Sequence, residues 1–306
     1  MPDAMRRTMP TFSIRGLAIA LVAVCLAAPA GAQVVLTGTL KKARESGAVA
    51  IGYRASSIPF SYLSSRGEPI GYAIEICRAL VDAMGEEVGR TLRIDWVPVT
   101  SETRIAAVVS GQVDLECGST TNNLERQKSV AFSPTTFVSG TKLMVRKSAQ
   151  IASFRDLAGQ RVLVTAGTTN EKAMRDLSDK FKLGLNIMVA KDHADAFAQL
   201  VAGQAVAFAT DDVLLYGLLA ENKAQPNYAV VGEFLSYDPY GIVFRKGDPQ
   251  LATLVNDSFR RMAEDRDLER LYDRWFLRRL PSGISIDLPM SPQLTTIFQS
   301  LVQKPE

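Results

Sequence analysis

Two extended stretches, near residues 136–142 and 236–242, constrain the fold more than any other feature of the sequence. Strand and helix patterns alternate before the first stretch and again between the two. The chain therefore leaves one alternating unit, builds a second and returns to the first. Strands that alternate with helices imply mostly parallel sheets covered on both faces. A double crossover between two such units makes a natural hinge. The 306 residues suffice for two ordinary domains. The expected architecture is α/β in two lobes, with a ligand cleft between them and a two-strand hinge. Residues 33–139 and 239–306 would form lobe one, and residues 140–238 lobe two.

Within lobe one, the pattern predicts a helix over 36–45, a strand over 49–53 and a turn-rich excursion over 59–71. Apolar residues at Ile74, Cys77, Ala79, Leu80, Val81 and Met84 predict an amphipathic helix. A strand over 92–99 follows. Ser101 reads as the N-cap of a helix that Gly111 stops. A short strand then ends at Cys117-Gly118, with the hydroxyls of Ser119, Thr120 and Thr121 next. Asn122 or Asn123 reads as the cap of a helix carrying Arg126 in its first turn. Free backbone N–H groups at such a helix start favour an anion. Arg126 would add a bidentate fork for a carboxylate.

Lobe two echoes this arrangement. Gly167-Thr168-Thr169-Asn170 stands between a strand over 162–165 and a helix over 171–181, as Ser119-Thr120-Thr121-Asn122 stands in lobe one. Two anion-friendly helix starts would then face each other across the cleft. Asp192 reads as the cap of the next helix. A strand over 206–209 ends at Asp211-Asp212, with Asp212 the cap of the helix that follows.

The first 32 residues read as a secretory signal peptide. Arg6, Arg7 and Arg15 precede an apolar run over 16–29, and Ala30-Gly31-Ala32 forms a small-residue cleavage site. The run is short for a bilayer span. Its removal takes away three arginines and Asp3, lowering the formal net charge from +3 to +1. Neither nucleic acid nor a membrane surface is implied as a partner. Cys77 and Cys117 remain. In an exported chain they permit a disulfide, which is slightly favoured over the alternative of two buried thiols. No metal-ligand cluster and no Ser/His/Asp constellation is present; Cys77, Cys117 and His193, the chain's single histidine, are scattered. No cofactor, metal or catalytic residue is expected.

Five stretches, 53–62, 100–105, 116–126, 191–193 and 207–212, carry a resemblance. The most specific is Glu-Cys-Gly-Ser-Thr-Thr-Asn-Asn from Glu116. Together and in this order they resemble the glutamate/aspartate-binding proteins of bacterial ABC importers, in solute-binding protein family 3. The resemblance spans about residues 38 to 280. It implies the type II periplasmic binding protein fold, a periplasmic location, hinge closure on an acidic amino acid and delivery to an inner-membrane ABC permease, with the chain acting as a monomer. It also implies roles. Arg126, Ser119 and Thr121 would hold the ligand α-carboxylate, and Asp211 the ammonium. Arg54, Ser101, Arg104 and His193 would surround the side-chain carboxylate, with Thr169 contributing from lobe two.

Read singly, these residues have plainer explanations. Arg54 and Arg104 are equally accounted for as solvated arginines, His193 as a surface residue and Asp211 as a helix cap. Two other functions use the same fold: a periplasmic dehydratase of cyclohexadienyl acids and a soluble chemosensory partner. Fold alone does not separate them, because function lives in the site.

Overall fold

The computed structural model describes residues 8–9 and 35–303. Apart from residues 8–9, the signal-peptide reading of residues 1–32 lies outside them. Among the described residues no helix is long and apolar enough to cross a membrane.

Helix α1 (Gly38–Ser46) leads into strand β1 (Ala48–Tyr53). The excursion that follows is a small antiparallel ribbon of β2 (Ser56–Ser57), β3 (Ser61–Leu63) and β4 (Pro69–Ile70). Helix α2 (Tyr72–Val88) outruns its predicted ends, and its apolar stripe of Ile76, Cys77, Leu80 and Met84 is fully buried. Then come β5 (Arg93–Pro98), α3 (Arg104–Ser110), β6 (Leu115–Cys117) and β7 (Val130–Phe132). After the first crossing strand, β8 (Phe137–Ser139), the chain builds β9 (Thr141–Arg146), β10 (Arg161–Thr165) and α4 (Thr169–Phe181). It continues through β11 (Asn186–Ala190), α5 (His193–Val201), β12 (Ala207–Asp211), α6 (Asp212–Glu221) and β13 (Tyr228–Val231). The return runs through β14 (Asp238–Tyr240) and β15 (Val243–Arg245). Helices α7 (Pro249–Glu264), α8 (Asp267–Tyr272) and α9 (Pro292–Val302) complete it.

These strands form two five-stranded sheets, ordered β5-β1-β6-β15-β7 and β11-β10-β12-β9-β13, bridged by a two-stranded ribbon of β8 and β14. The fold is therefore two-lobed α/β with a two-strand hinge, as expected. The sheets are not purely parallel. In each, the strand just past the hinge, β15 or β9, runs against its neighbours. The reason is geometric. The parallel strands end at the cleft, whereas a strand leaving the hinge starts there and must run the other way.

Both faces of the lobe-two sheet are dry. Met144, Leu163 and Phe208 belong to one apolar cluster, while their neighbours Leu143, Val145, Val162, Val164, Ala207 and Ala209 belong to the other. This is the two-residue period of a strand covered on both sides. Local caps hold the helices between. Thr168 accepts from Glu171 N, Asp192 from Asp195 N and Asp248 from Leu251 N.

Cys77 and Cys117 form a disulfide that ties α2 to the last residue of β6. The bridge leaves neither sulfur free, so the chain unfolded and alkylated without reduction should carry no label on either residue by mass spectrometry. The bridge closes a separation of 40 residues. Urea unfolding with reductant should lose roughly 2–4 kcal/mol relative to unfolding without it. Coincident midpoints would show that the bridge adds nothing.

Candidate functional site

The parallel strands of both sheets end at one cleft, and polar side chains follow each end. In lobe one, Arg54 follows β1, Ser101 follows β5 with Arg104 opening α3, and Ser119 and Thr121 follow β6. In lobe two, Thr169 opens α4 after β10, His193 opens α5 after β11, and Asp211 is the last residue of β12. Ligands of open α/β sheets bind at this edge, where helix N-termini and strand carboxyl ends meet. Seven of these residues belong to no solvated surface: Arg54, Ser101, Arg104, Ser119, Thr121, His193 and Asp211 are each 5% exposed or less.

The two lobes touch here. Thr121 Oγ1 lies 3.3 Å from Thr169 Oγ1, and Arg126 Nη2 donates to Gly167 O at 3.3 Å. Gly167 has φ +70°, and a Cβ there would sit 2.7 Å from Glu102 Cα. Only glycine lets the lobe-two loop approach lobe one this closely.

One local expectation fails. No α-helix follows Asn123; a single 3₁₀ turn over Arg126–Lys128 stands there, and β7 begins at Val130. Asn123 does cap that turn, accepting from Arg126 N at 2.9 Å. The segment has no apolar face to bury, because Leu124, Glu125, Gln127 and Lys128 are all exposed. A short helix without a packed face is not stable in water. Lobe one therefore offers loop N–H groups and guanidinium forks rather than a helix dipole at this point. Arg126 is held by its Nη1 on Thr121 O at 2.9 Å.

Two other capping expectations shift. Helix α3 starts at Arg104, because Thr100 and Thr103 cap each other: each side-chain oxygen accepts from the other's backbone N–H, at 3.0 and 3.1 Å. Ser101 Oγ is thereby released, and it is buried with no hydrogen-bond partner among the described residues. At α6 the cap position falls on Asp211, whose side chain makes no capping bond. Asp212 accepts from Val213 N and from Ser139 Oγ on the hinge.

The buried charges are tightly coupled. Burial, and then repulsion from Arg104, lower the Arg54 guanidinium to about 9. Burial also lowers Arg104, with Glu116 opposing. Arg126 falls to about 9 by burial and by repulsion from Arg104. His193 is pushed well below its ordinary range by burial and by both arginines, so its imidazole is neutral at pH 7, with Nδ1 2.9 Å from Thr165 Oγ1. Asp211 rises to about 8, chiefly by burial and next by Asp238. Asn170 Nδ2 donates to Asp211 Oδ1 at 2.8 Å, and the Tyr240 hydroxyl donates to Oδ2. Arg54 Nη1, Arg54 Nη2 and Arg104 Nε are buried without a protein partner among the described residues. Groups of this kind suit a ligand carboxylate, which supplies both charge and acceptors.

Three further residues of this cleft carry no role in the sequence reading. Glu116 is fully buried behind the arginines. Asp238 accepts from Thr169 Oγ1 at 2.8 Å and Thr121 Oγ1 at 3.1 Å, joining the lobes. Tyr240 reaches Asp211 from the hinge. The available signal for Glu116 was its place in a strand destined for the sheet interior, where alternation does not mean solvent. Among the described residues no group of three or more His, Cys, Asp or Glu is placed to hold a metal ion.

Residues 49–278 match the family described as bacterial extracellular solute-binding proteins, family 3. The chain is 42% identical over 291 residues to an L-glutamate/L-aspartate-binding protein of Pseudomonas aeruginosa, covering 94% of this chain and 96% of that one. It is 37% identical over 298 residues to a glutamate/aspartate import solute-binding protein of Salmonella typhimurium, covering 97% of each. In three dimensions it is similar to a mutant of ArgBP from T. maritima, with a TM-score of 0.71 at 24% identity over 79% of this chain and 100% of that one. That likeness concerns the fold.

The raised Asp211 carboxyl fixes a pH dependence. Between about pH 4 and the folded value of about 8, the unfolded chain releases this proton while the folded chain keeps it. Asp211 therefore subtracts stability as pH rises through that window, by at most about 1.4 kcal/mol per pH unit. The unfolding free energy of Asp211→Asn minus that of wild type should grow from pH 5 to pH 7.5 in urea titrations. A pH-independent difference would show that Asp211 ionises as in the unfolded chain.

Proposed function

The chain belongs to the bacterial extracellular solute-binding proteins, family 3, and from that premise we propose that it captures glutamate or aspartate between its lobes and delivers it to an inner-membrane ABC permease. The observation that carries the ligand is the buried pair Arg54 and Arg104, in one cleft with Arg126 and Asp211. An acidic amino acid has two carboxylates and one ammonium. A neutral amino acid needs one arginine and one carboxylate, and would leave excess positive charge buried at the Arg54 and Arg104 end. Support also comes from the relatives of Pseudomonas aeruginosa and Salmonella typhimurium, whose names specify glutamate and aspartate.

In this reading, Arg126, Ser119 and Thr121 hold the α-carboxylate and Asp211 takes the ammonium. Arg54, Ser101, Arg104 and His193 surround the side-chain carboxylate, with Thr169 closing from lobe two. The neutral imidazole of His193 can donate a hydrogen bond without adding charge. Residues 33–139 and 239–306 act as one lobe and residues 140–238 as the other, turning about the hinge ribbon. The chain works as a monomer in the periplasm after loss of residues 1–32, and it binds its ligand without transforming it.

Ligand-stripped protein tests this reading. At 100-fold excess over its dissociation constant, a ligand specific for the folded form adds about 2.7 kcal/mol of stability. L-glutamate or L-aspartate should therefore raise the melting temperature, and no shift with either would remove the acidic amino acid reading. The two ends of the ligand separate by mutation. Arg126→Ala should weaken every bound amino acid by roughly 2–5 kcal/mol. Arg104→Ala should weaken glutamate and aspartate by a similar amount and their amides much less. Calorimetry that gave the reverse pattern would show the ligand bound the other way round.

A further inference from the structure

Among the described residues, Glu116 is the carboxylate without exposed surface on the Arg54 and Arg104 side of the cleft, and the proposed ligand contacts give it no task. It lies in β6, the central strand of its sheet, with no exposed surface. Its Oε2 accepts from Thr120 Oγ1 at 2.6 Å, and the same hydroxyl accepts from Arg104 Nη1 at 2.6 Å. Its Oε1 has no hydrogen-bond partner among the described residues. A Cβ at Gly118 would lie 2.4 Å from Oε1 and 2.9 Å from Arg54 Cγ. Glu116 and the Arg54 stem therefore pack together over a residue that has no side chain. The carboxylate thus touches the environment of both arginines, one through a hydroxyl relay and one by packing. It opposes the effect of burial on each.

We propose that Glu116 is a specificity-determining residue that offsets one of the two guanidinium charges, so that this end of the cleft presents a single net positive charge to the ligand side chain. The inference rests on the acidic amino acid reading and deepens it. Two cations, one carboxylate and a neutral His193 leave one positive charge, which one side-chain carboxylate balances. The same offset limits the penalty for a neutral amide, which strands one net charge rather than two. Glu116 thereby sets how strongly the site prefers an acid over its amide. Thr120 is a positioning residue, because it links Glu116 to Arg104 without carrying charge.

The test compares wild type, Glu116→Gln and Thr120→Val, stripped of ligand, by calorimetry at pH 7 with L-glutamate and L-glutamine. Glu116→Gln keeps the shape and removes the charge. It should raise the glutamate-to-glutamine affinity ratio about tenfold, the size of a unit charge felt across a partly screened distance. Thr120→Val should weaken both ligands together and leave the ratio within about twofold, because the charge stays. An unchanged ratio in Glu116→Gln overturns the assignment, and so does an equal rise in Thr120→Val. If Glu116→Gln does not fold, Glu116→Asp, which withdraws the charge by one methylene, should move the ratio in the same direction by less; no movement overturns the assignment. A second measurement does not depend on which amino acid binds. Propionate, a bare monocarboxylate, should raise the melting temperature of ligand-free Glu116→Gln more than that of wild type. Equal shifts overturn the role of Glu116. If propionate behaves as expected while glutamate and aspartate fail to bind wild type, the ligand reading is at fault and the charge offset stands.

Discussion

Two guanidinium groups buried beside each other set the terms for everything around them. Taking a charge out of water costs several kcal/mol unless dipoles and counter-charges replace the lost hydration, and a like charge nearby adds to the cost. The fold meets this at the carboxyl edge of a sheet, where carbonyl oxygens and hydroxyls are held by backbone rather than by flexible side chains. Arg104 Nη1 reaches Ser119 O at 3.1 Å and Thr120 Oγ1 at 2.6 Å, both in the loop that leaves β6. The field of the pair also reaches across the cleft, where it adds to the effect of burial in keeping His193 neutral. A lobe-two residue is thus biased toward its neutral form by charges on lobe one, in addition to its own burial.

The hinge is part of the site. In β14, Asp238 and Tyr240 share a face, as residues two apart on a strand do, and both side chains reach ligand-contact candidates. Pro239 between them accepts from Asn122 N at 2.7 Å through its backbone oxygen. One three-residue strand therefore meets the lobe-one loop, the start of α4 and the end of β12. A rotation about the β8 and β14 ribbon would change all these distances at once. This is a physical basis for coupling occupancy to closure, because a hinge shift cannot leave Asp238 bonded to both Thr121 and Thr169 unless the lobes move with it.

Much of this was legible in the sequence, and the parts that were not have specific causes. Strand and helix periodicity placed the 49–53 and 162–165 strands within a residue of where they stand. The crossings near 136–142 and 236–242 became the hinge because extended chain between two alternating units has little else to do. The helix expected after Asn123 failed because a good cap cannot replace a buried face. Glu116 stayed hidden because a polar residue alternating with Leu115 and Cys117 looks solvent-facing, and only the sheet order reveals cover on both sides. Asp238 and Tyr240 were missed because they act through long-range pairing with β8 and bonds to distant loops, which no local pattern encodes. The pairing of Cys77 with Cys117 was undecidable from spacing, since it depends on how α2 lies across β6.

The charges buried in the cleft work against the fold. Asp211 is raised to about 8 and Arg54 lowered to about 9, and each shift means a charged form that is less favourable here than in water. Reinforcement is placed where this load is greatest. Cys117, the anchor of the disulfide, directly follows Glu116 and precedes Gly118 and Ser119, so the covalent tie to α2 holds the strand end from which the loop departs. Helix α2 is itself fixed by a wholly buried stripe and by Tyr72, whose hydroxyl donates to Thr136 O just ahead of the hinge. Phe60, Phe137, Tyr240 and Phe276 pack edge-on or stacked over the same region. Lobe one thus surrounds its buried charges with a disulfide, a buried helix stripe and packed aromatic rings. Lobe two carries a smaller share of that load, with Asp211 and the neutral His193.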